Sequence, residues 1–226
     1  MDLLTFLFLD SNGKFQWASI AAFISLGVAI AAYLNNKKIL NQQRELNEEN
    51  FKGNIVAKAR IDWIQEVRKK SVDFISSCHK LLAYMKNTEI SDDKVIDGLK
   101  ADIENNATLL ILYFGPDKGK NKNNDFIIYL ISLLSEKIIN KENYYDKEHI
   151  LELDDSIDVL RDFLRIYFKA EWKRANREIP AERVQSYLES HKYYRKIMKI
   201  YAYGFACHEE GVECFYSQLE RKANQD

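Results

Sequence analysis

Residues 17–34, WASIAAFISLGVAIAAYL, run for 18 positions without a charge. As a helix rising about 1.5 Å per residue they would extend roughly 27 Å, close to the ~30 Å hydrocarbon thickness of a bilayer. Phe15 and Trp17 at one end and Tyr33 at the other stand where interfacial aromatics belong. A buried core helix meets the same length test. A secretory signal is the other alternative, because Ala29-Ile30-Ala31 mimics a cleavage site. A signal needs a basic start, however, and this chain opens MDLLTFLFLD with two aspartates and no early lysine. The run therefore reads as a transmembrane helix. Asp2, Asp10 and Lys14 precede it, whereas Lys37, Lys38 and Arg44 follow it, so the positive-inside rule places the C-terminal side in the cytoplasm. The expectation is a single-pass protein of the inner or plasma membrane. The apolar stretch 3–9 is too short to cross and is expected in the outer interface or against the span.

Within the span, Ala18, Ala22, Ser25, Ala29 and Ala32 follow steps of four and three residues and so share one helix face. Gly27 and Ala31 form a second small pair. Inside lipid, apolar burial gives helices little reason to associate, and small faces that let backbones approach supply the attraction instead. This face is the expected interface of a homo-oligomer, with Ser25 adding a hydrogen bond.

Beyond the span, only 2 prolines and 8 glycines serve 226 residues, too few for the turns of a sheet protein. The fold class is all-α: an N-terminal transmembrane helix in residues 1–34, a polar helical stalk in 35–53, and a cytoplasmic bundle of five or six helices in 54–226. Ile39 and Leu46 lie one heptad apart in the stalk, and Gly53-Asn54 suggests a kink. The next helix runs from Ile55 to about Lys86 on a stripe of Ile61, Ile64, Val67, Phe74, Leu81 and Met85. Ser91-Asp92-Asp93 offers an N-cap to a helix carrying Val95, Leu99, Ile103 and Leu110. Residues 115–124 (GPDKGKNKNN) read as a loop, Asp125 to about Ile139 as a helix, and Lys147 to about Lys173 as another. Pro180 suits the first turn of the last helical stretch, which bends near Ser190 and ends near Lys222.

The formal net charge is −1, which gives no global field toward nucleic acid or anionic lipid. Three cysteines, at 78, 207 and 214, are too few for a disulfide framework and suit a reducing compartment. Gly119-Lys120 has the flavour of a phosphate loop, but Asn121 stands where Ser or Thr would hold magnesium. Cys78-His79 and Cys207-His208 lack the close ligand pairs of tetrahedral zinc. His208-Glu209-Glu210 fails as a zincin motif, because Val212 stands in place of the second histidine. No cofactor and no metal are expected.

Arg183 and His191 carry the one arrangement suited to catalysis. The stretch RVQSYLESH places an Arg and a His late in an all-α domain. This resembles the helical ribonucleases of the HEPN class, whose Arg and His handle the scissile phosphate with four to six residues between them. Here seven intervene, and Val184 replaces the polar residue expected after the arginine. The segment ARIDWIQEVR at 59–68, following a membrane helix and stalk, looks like a recurring feature of bacterial and prophage membrane proteins. It is expected to hold the domain together rather than to react. The overall layout resembles the small membrane accessory protein of type VI-B CRISPR systems. That resemblance implies a HEPN-like helical domain on an anchor and assembly into a ring. The first functional expectation is a non-enzymatic, oligomeric membrane protein, a phage-defence effector or accessory protein that perturbs the membrane or binds a protein or RNA partner. The alternatives are a membrane-tethered ribonuclease using Arg183 and His191, and a cytoplasmic ligand sensor.

Overall fold

A computed structural model describes residues 17–87, 92–115, 121–140 and 146–223. Residues 3–9, Ser91, the Gly119-Lys120 pair and residues 141–145 lie outside the described residues. The described chain is helical, with no strand among those residues. It comprises α1 (Trp17–Asn87), α2 (Asp93–Leu112), α3 (Lys122–Ile139), α4 (Lys147–Ala175), a 3-10 turn (Ala181–Arg183), α5 (Val184–Ser190) and α6 (Lys192–Ala223). It divides into two units, residues 1–56 and 57–226.

In the first unit the helix contains a stretch long and apolar enough, by length and composition, to cross a membrane. Every side chain from Ala21 to Leu34 is exposed. The Ser25 hydroxyl donates to the Ala21 carbonyl at 2.8 Å, so its proton is committed within its own helix and only its lone pairs face outward. The Ala18 side chain is outside the described residues. The helix continues through Gly53-Asn54 without a break.

The second unit has a core built on helical periodicity. Along α1, Ile64, Val67, Ser71, Phe74, Cys78 and Leu81 alternate steps of three and four, and all are buried. The α2 stripe has Ile103 and Leu110 buried as the sequence reading has them and differs at its start, where Ile96 is fully buried and Val95 is 42% exposed. Helix α2 packs on α3, α3 on α4, and α4 on α5 and α6.

Capping explains where the helices begin. Asp92 accepts from the Lys94 amide at 2.9 Å, and Asp146 from the His149 amide at 2.7 Å. Helix α3 begins at Lys122 rather than Asp125, because Asn121 accepts from the amides of Asn123 and Asn124. The 3-10 turn, with Pro180 as its N-cap, precedes α5, and at His191 the backbone turns extended (φ −80°, ψ 124°) before α6 starts. Helix α4 ends in a Schellman motif. The Glu178 amide donates to the Lys173 carbonyl at 2.9 Å and the Arg177 amide to the Arg174 carbonyl at 3.1 Å. Arg177 takes the left-handed position there (φ 59°) that glycine usually fills.

Several buried polar groups are paired across long sequence distances. Tyr194 donates to Asn123 Oδ1 at 2.7 Å, Asn123 Nδ2 to Gln185 Oε1 at 3.0 Å, and Tyr167 to Asn124 Oδ1 at 2.7 Å. Burial pushes the Tyr167 and Tyr194 hydroxyls above the usual phenol range, so both stay protonated donors. The segment 59–68 docks α1 against the rest. Arg60 meets the buried Glu171 carboxylate at 3.5 Å, Trp63 Nε1 donates to the Tyr113 carbonyl at 3.0 Å, and Arg68 lies over the Phe168 ring at 5.6 Å.

Candidate functional site

Beside its apolar stripe α4 carries Arg161, Arg165 and Lys169 at steps of four, which stack them in one row along the helix. Across from this row α1 brings Arg68, and the extended link between α5 and α6 brings His191. Together they line a cleft of about 780 Å³ within the 57–226 unit. The four cations face a single lining carboxylate, Asp162. That carboxylate is shared, lying 3.3 Å from Arg165 and 3.8 Å from Arg161, and Asp158 holds Arg161 from the other side at 2.5 Å. Both guanidinium groups are thereby oriented, and each keeps further N–H donors, since the group has five. Lys169 makes no ion pair with any described residue. Val72, Ile75, Leu164 and Ile166 give the cleft an apolar lining as well, beside Tyr187 and Tyr193.

Of the two residues singled out for catalysis, His191 lines this cleft and Arg183 is not among its lining residues. Arg183 is exposed at the end of the 3-10 turn, where its amide donates to the Pro180 carbonyl at 3.0 Å. His191 instead neighbours Tyr193, their ring centres 6.0 Å apart. The row on α4 escaped the sequence reading, although its four-residue spacing is visible there. Its interspersed aspartates make it look like an ordinary solvated face.

The Cys-His pairs separate on folding. Cys78 is fully buried, while His79 turns outward to Asp154, with Nδ1 3.4 Å from the carboxylate. His208 packs on the Tyr129 ring at 5.4 Å. Among the described residues no three His, Cys, Asp or Glu side chains converge as metal ligands. Burial pushes the Cys78 thiol up to about 12, whereas Cys207 and Cys214 are exposed. The thiolate is the reactive form. Maleimide at neutral pH should therefore modify Cys207 and Cys214 rapidly, and Cys78 only after denaturant is added. Three equally fast labels in a mass spectrum would place Cys78 outside the core.

Compared with known proteins, the chain matches no family model, no curated protein and no solved structure.

Proposed function

We propose that the chain is a single-pass, non-enzymatic membrane protein that works as a homo-oligomer, with residues 54–226 in the cytoplasm binding a partner. The observation that carries this reading is the uncovered apolar run. Described side chains from Ala21 to Leu34 are exposed, including Ile24 at 62% and Val28 at 64%. A run of this length left to water would expose a continuous apolar surface, and lipid removes that cost. Lys37, Lys38 and Arg44 orient the domain inward. Ala18, Ala22, Ser25, Ala29 and Ala32 form the seam between copies. Exposed apolar groups outside the span support a protein contact as well. On α6, Phe215, Tyr216 and Leu219 continue beyond the part of the helix that Phe205 anchors in the core. The layout's resemblance to the type VI-B accessory protein suggests a role in phage defence. A ribonuclease would need Arg183 and His191 at one phosphate, and only His191 reaches the cleft.

The test uses the full chain in mild detergent. The wild type is expected to be oligomeric by mass photometry, and Ala22→Leu with Ala29→Leu to lower the assembly state while insertion persists. A reporter fused after Asp226 should be active only if it is a cytoplasmic one. A monomeric wild type refutes the assembly, and activity from a periplasmic reporter alone refutes the topology.

A further inference from the structure

We propose that the cleft between α1, α4 and the α5–α6 link binds a nucleotide-class ligand. Its phosphates would lie on Arg68, Arg165 and Lys169 and its planar base against Tyr193. This inference is independent of the membrane reading above.

The charge arrangement is the first support. Like charges four residues apart on a helix repel, and α4 repeats that spacing twice along one face. Arg68 is then added from a second helix. Lys169 has no carboxylate partner among the described residues, and the contact of Arg68 is with the Phe168 ring at 5.6 Å. Arg165 is 75% exposed yet held by Asp162 at 3.3 Å, so a donor is aimed without being neutralised by a partner of its own. Oriented guanidinium groups beside an ammonium suit the several oxygens of a phosphate chain.

The apolar lining decides what else the ligand carries. Val72, 61% exposed, and the half-buried Ile75 would stay wet beside an inorganic polyanion, so the ligand needs a carbon framework. The aromatic lining narrows this to a flat one. Tyr193 is 57% exposed, its ring beside that of His191 with an interplanar angle of 40°. An exposed ring among cations stacks well on a base, whereas an acyl chain would use the aliphatic side chains alone. The volume of about 780 Å³ lies within the range of small-molecule sites, roughly 300–1,000 Å³.

The experiment is calorimetric titration of the full-length protein in mild detergent at low salt. The probes are ATP, ADP, adenosine, tripolyphosphate, lysophosphatidate and a short uridine oligonucleotide. ATP and ADP should saturate one site, with adenosine and tripolyphosphate each at least about tenfold weaker. Arg165→Gln combined with Lys169→Gln should weaken ATP at least about tenfold, both side chains being exposed, with the melting temperature of the free protein unchanged. Tyr193→Ala should weaken ATP and leave tripolyphosphate as it was. The proposal is overturned if ATP fails to bind at millimolar concentration, or binds the double variant as well as the wild type. It is equally overturned if tripolyphosphate matches ATP, if lysophosphatidate displaces it more tightly than ADP does, or if the oligonucleotide binds more tightly than ATP and is lost in the same variant.

Discussion

Phe126→Ala should lower the unfolding free energy by about 3–5 kcal/mol, the usual cost of deleting a large buried aromatic side chain. Phe126 is fully buried where α3, α4 and α6 meet. Its ring centre lies 4.8 Å from that of Phe163 and 5.2 Å from that of Phe205, the latter edge-on at 89°. Tyr129 and Tyr201 close the cluster at 6.0 and 6.4 Å. Such pairs add about 0.5–1.5 kcal/mol beyond the area they bury. Ring neighbours cannot fill the vacated space without leaving their rotamers, so little of the loss is recovered by collapse. Phe126→Leu keeps most of the volume and should cost about 1.5 kcal/mol or less. Urea melts of the full-length protein in detergent measure both. An alanine variant within error of the wild type would mean that the ring does not sit at a packed junction.

The second large effect is expected at Trp63, on the order of 3 kcal/mol for the alanine variant. Its ring is partly buried against the core and meets Phe114 edge-on at 6.1 Å, while Nε1 donates to the Tyr113 carbonyl at 3.0 Å. That carbonyl follows the last turn of α2, where helices leave acceptors unpaired. Trp63→Phe keeps most of the ring contact and removes the donor, so it isolates the hydrogen bond, about 1–2 kcal/mol. Equal destabilisation by Trp63→Phe and Trp63→Ala would assign the whole effect to the donor. No change in either variant would detach residues 59–68 from the stability of the domain.

Much of this architecture was legible because helices advertise themselves by period. The buried row from Ile64 to Leu81 on α1 and the row Leu153, Ile157, Leu160, Leu164 and Phe168 on α4 both follow that period. Phase was harder where apolar residues adjoin. Val95 and Ile96 are both β-branched, and only their neighbours in space decide that Ile96 turns inward. The start of α3 was hidden by composition, since a run of asparagines and lysines reads as loop. Asn123 and Asn124 are nonetheless nearly buried, because Tyr194 and Tyr167 donate to them from 71 and 43 residues away. Pairings of that range leave no local pattern. The cleft shows the same division. The α4 row is visible as a spacing, but its meeting with Arg68 depends on how two distant helices pack. Arg183 and His191 stand close in sequence, yet the 3-10 turn and the extended backbone at His191 present the two ends of α5 differently, and only His191 lines the cleft.

The pairing of Arg60 with Glu171 has a consequence for the order of events during synthesis. The α1 surface bearing Ile64, Val67 and Phe74 leaves the ribosome first, and the carboxylate that helps dock it is added more than a hundred residues later. At elongation rates of about 5–20 residues per second, that interval lasts on the order of 5–20 s. Helices α2 and α3 can pair as they emerge, because their contacts are between chain neighbours. Trp63 can meet Tyr113 and Phe114 once α2 is complete, but the docking of α1 on α4 has to wait. Throughout that wait the face of α1 that meets α4 lacks its native cover, so the nascent chain has a defined window in which a chaperone holding this one segment would suppress misassembly.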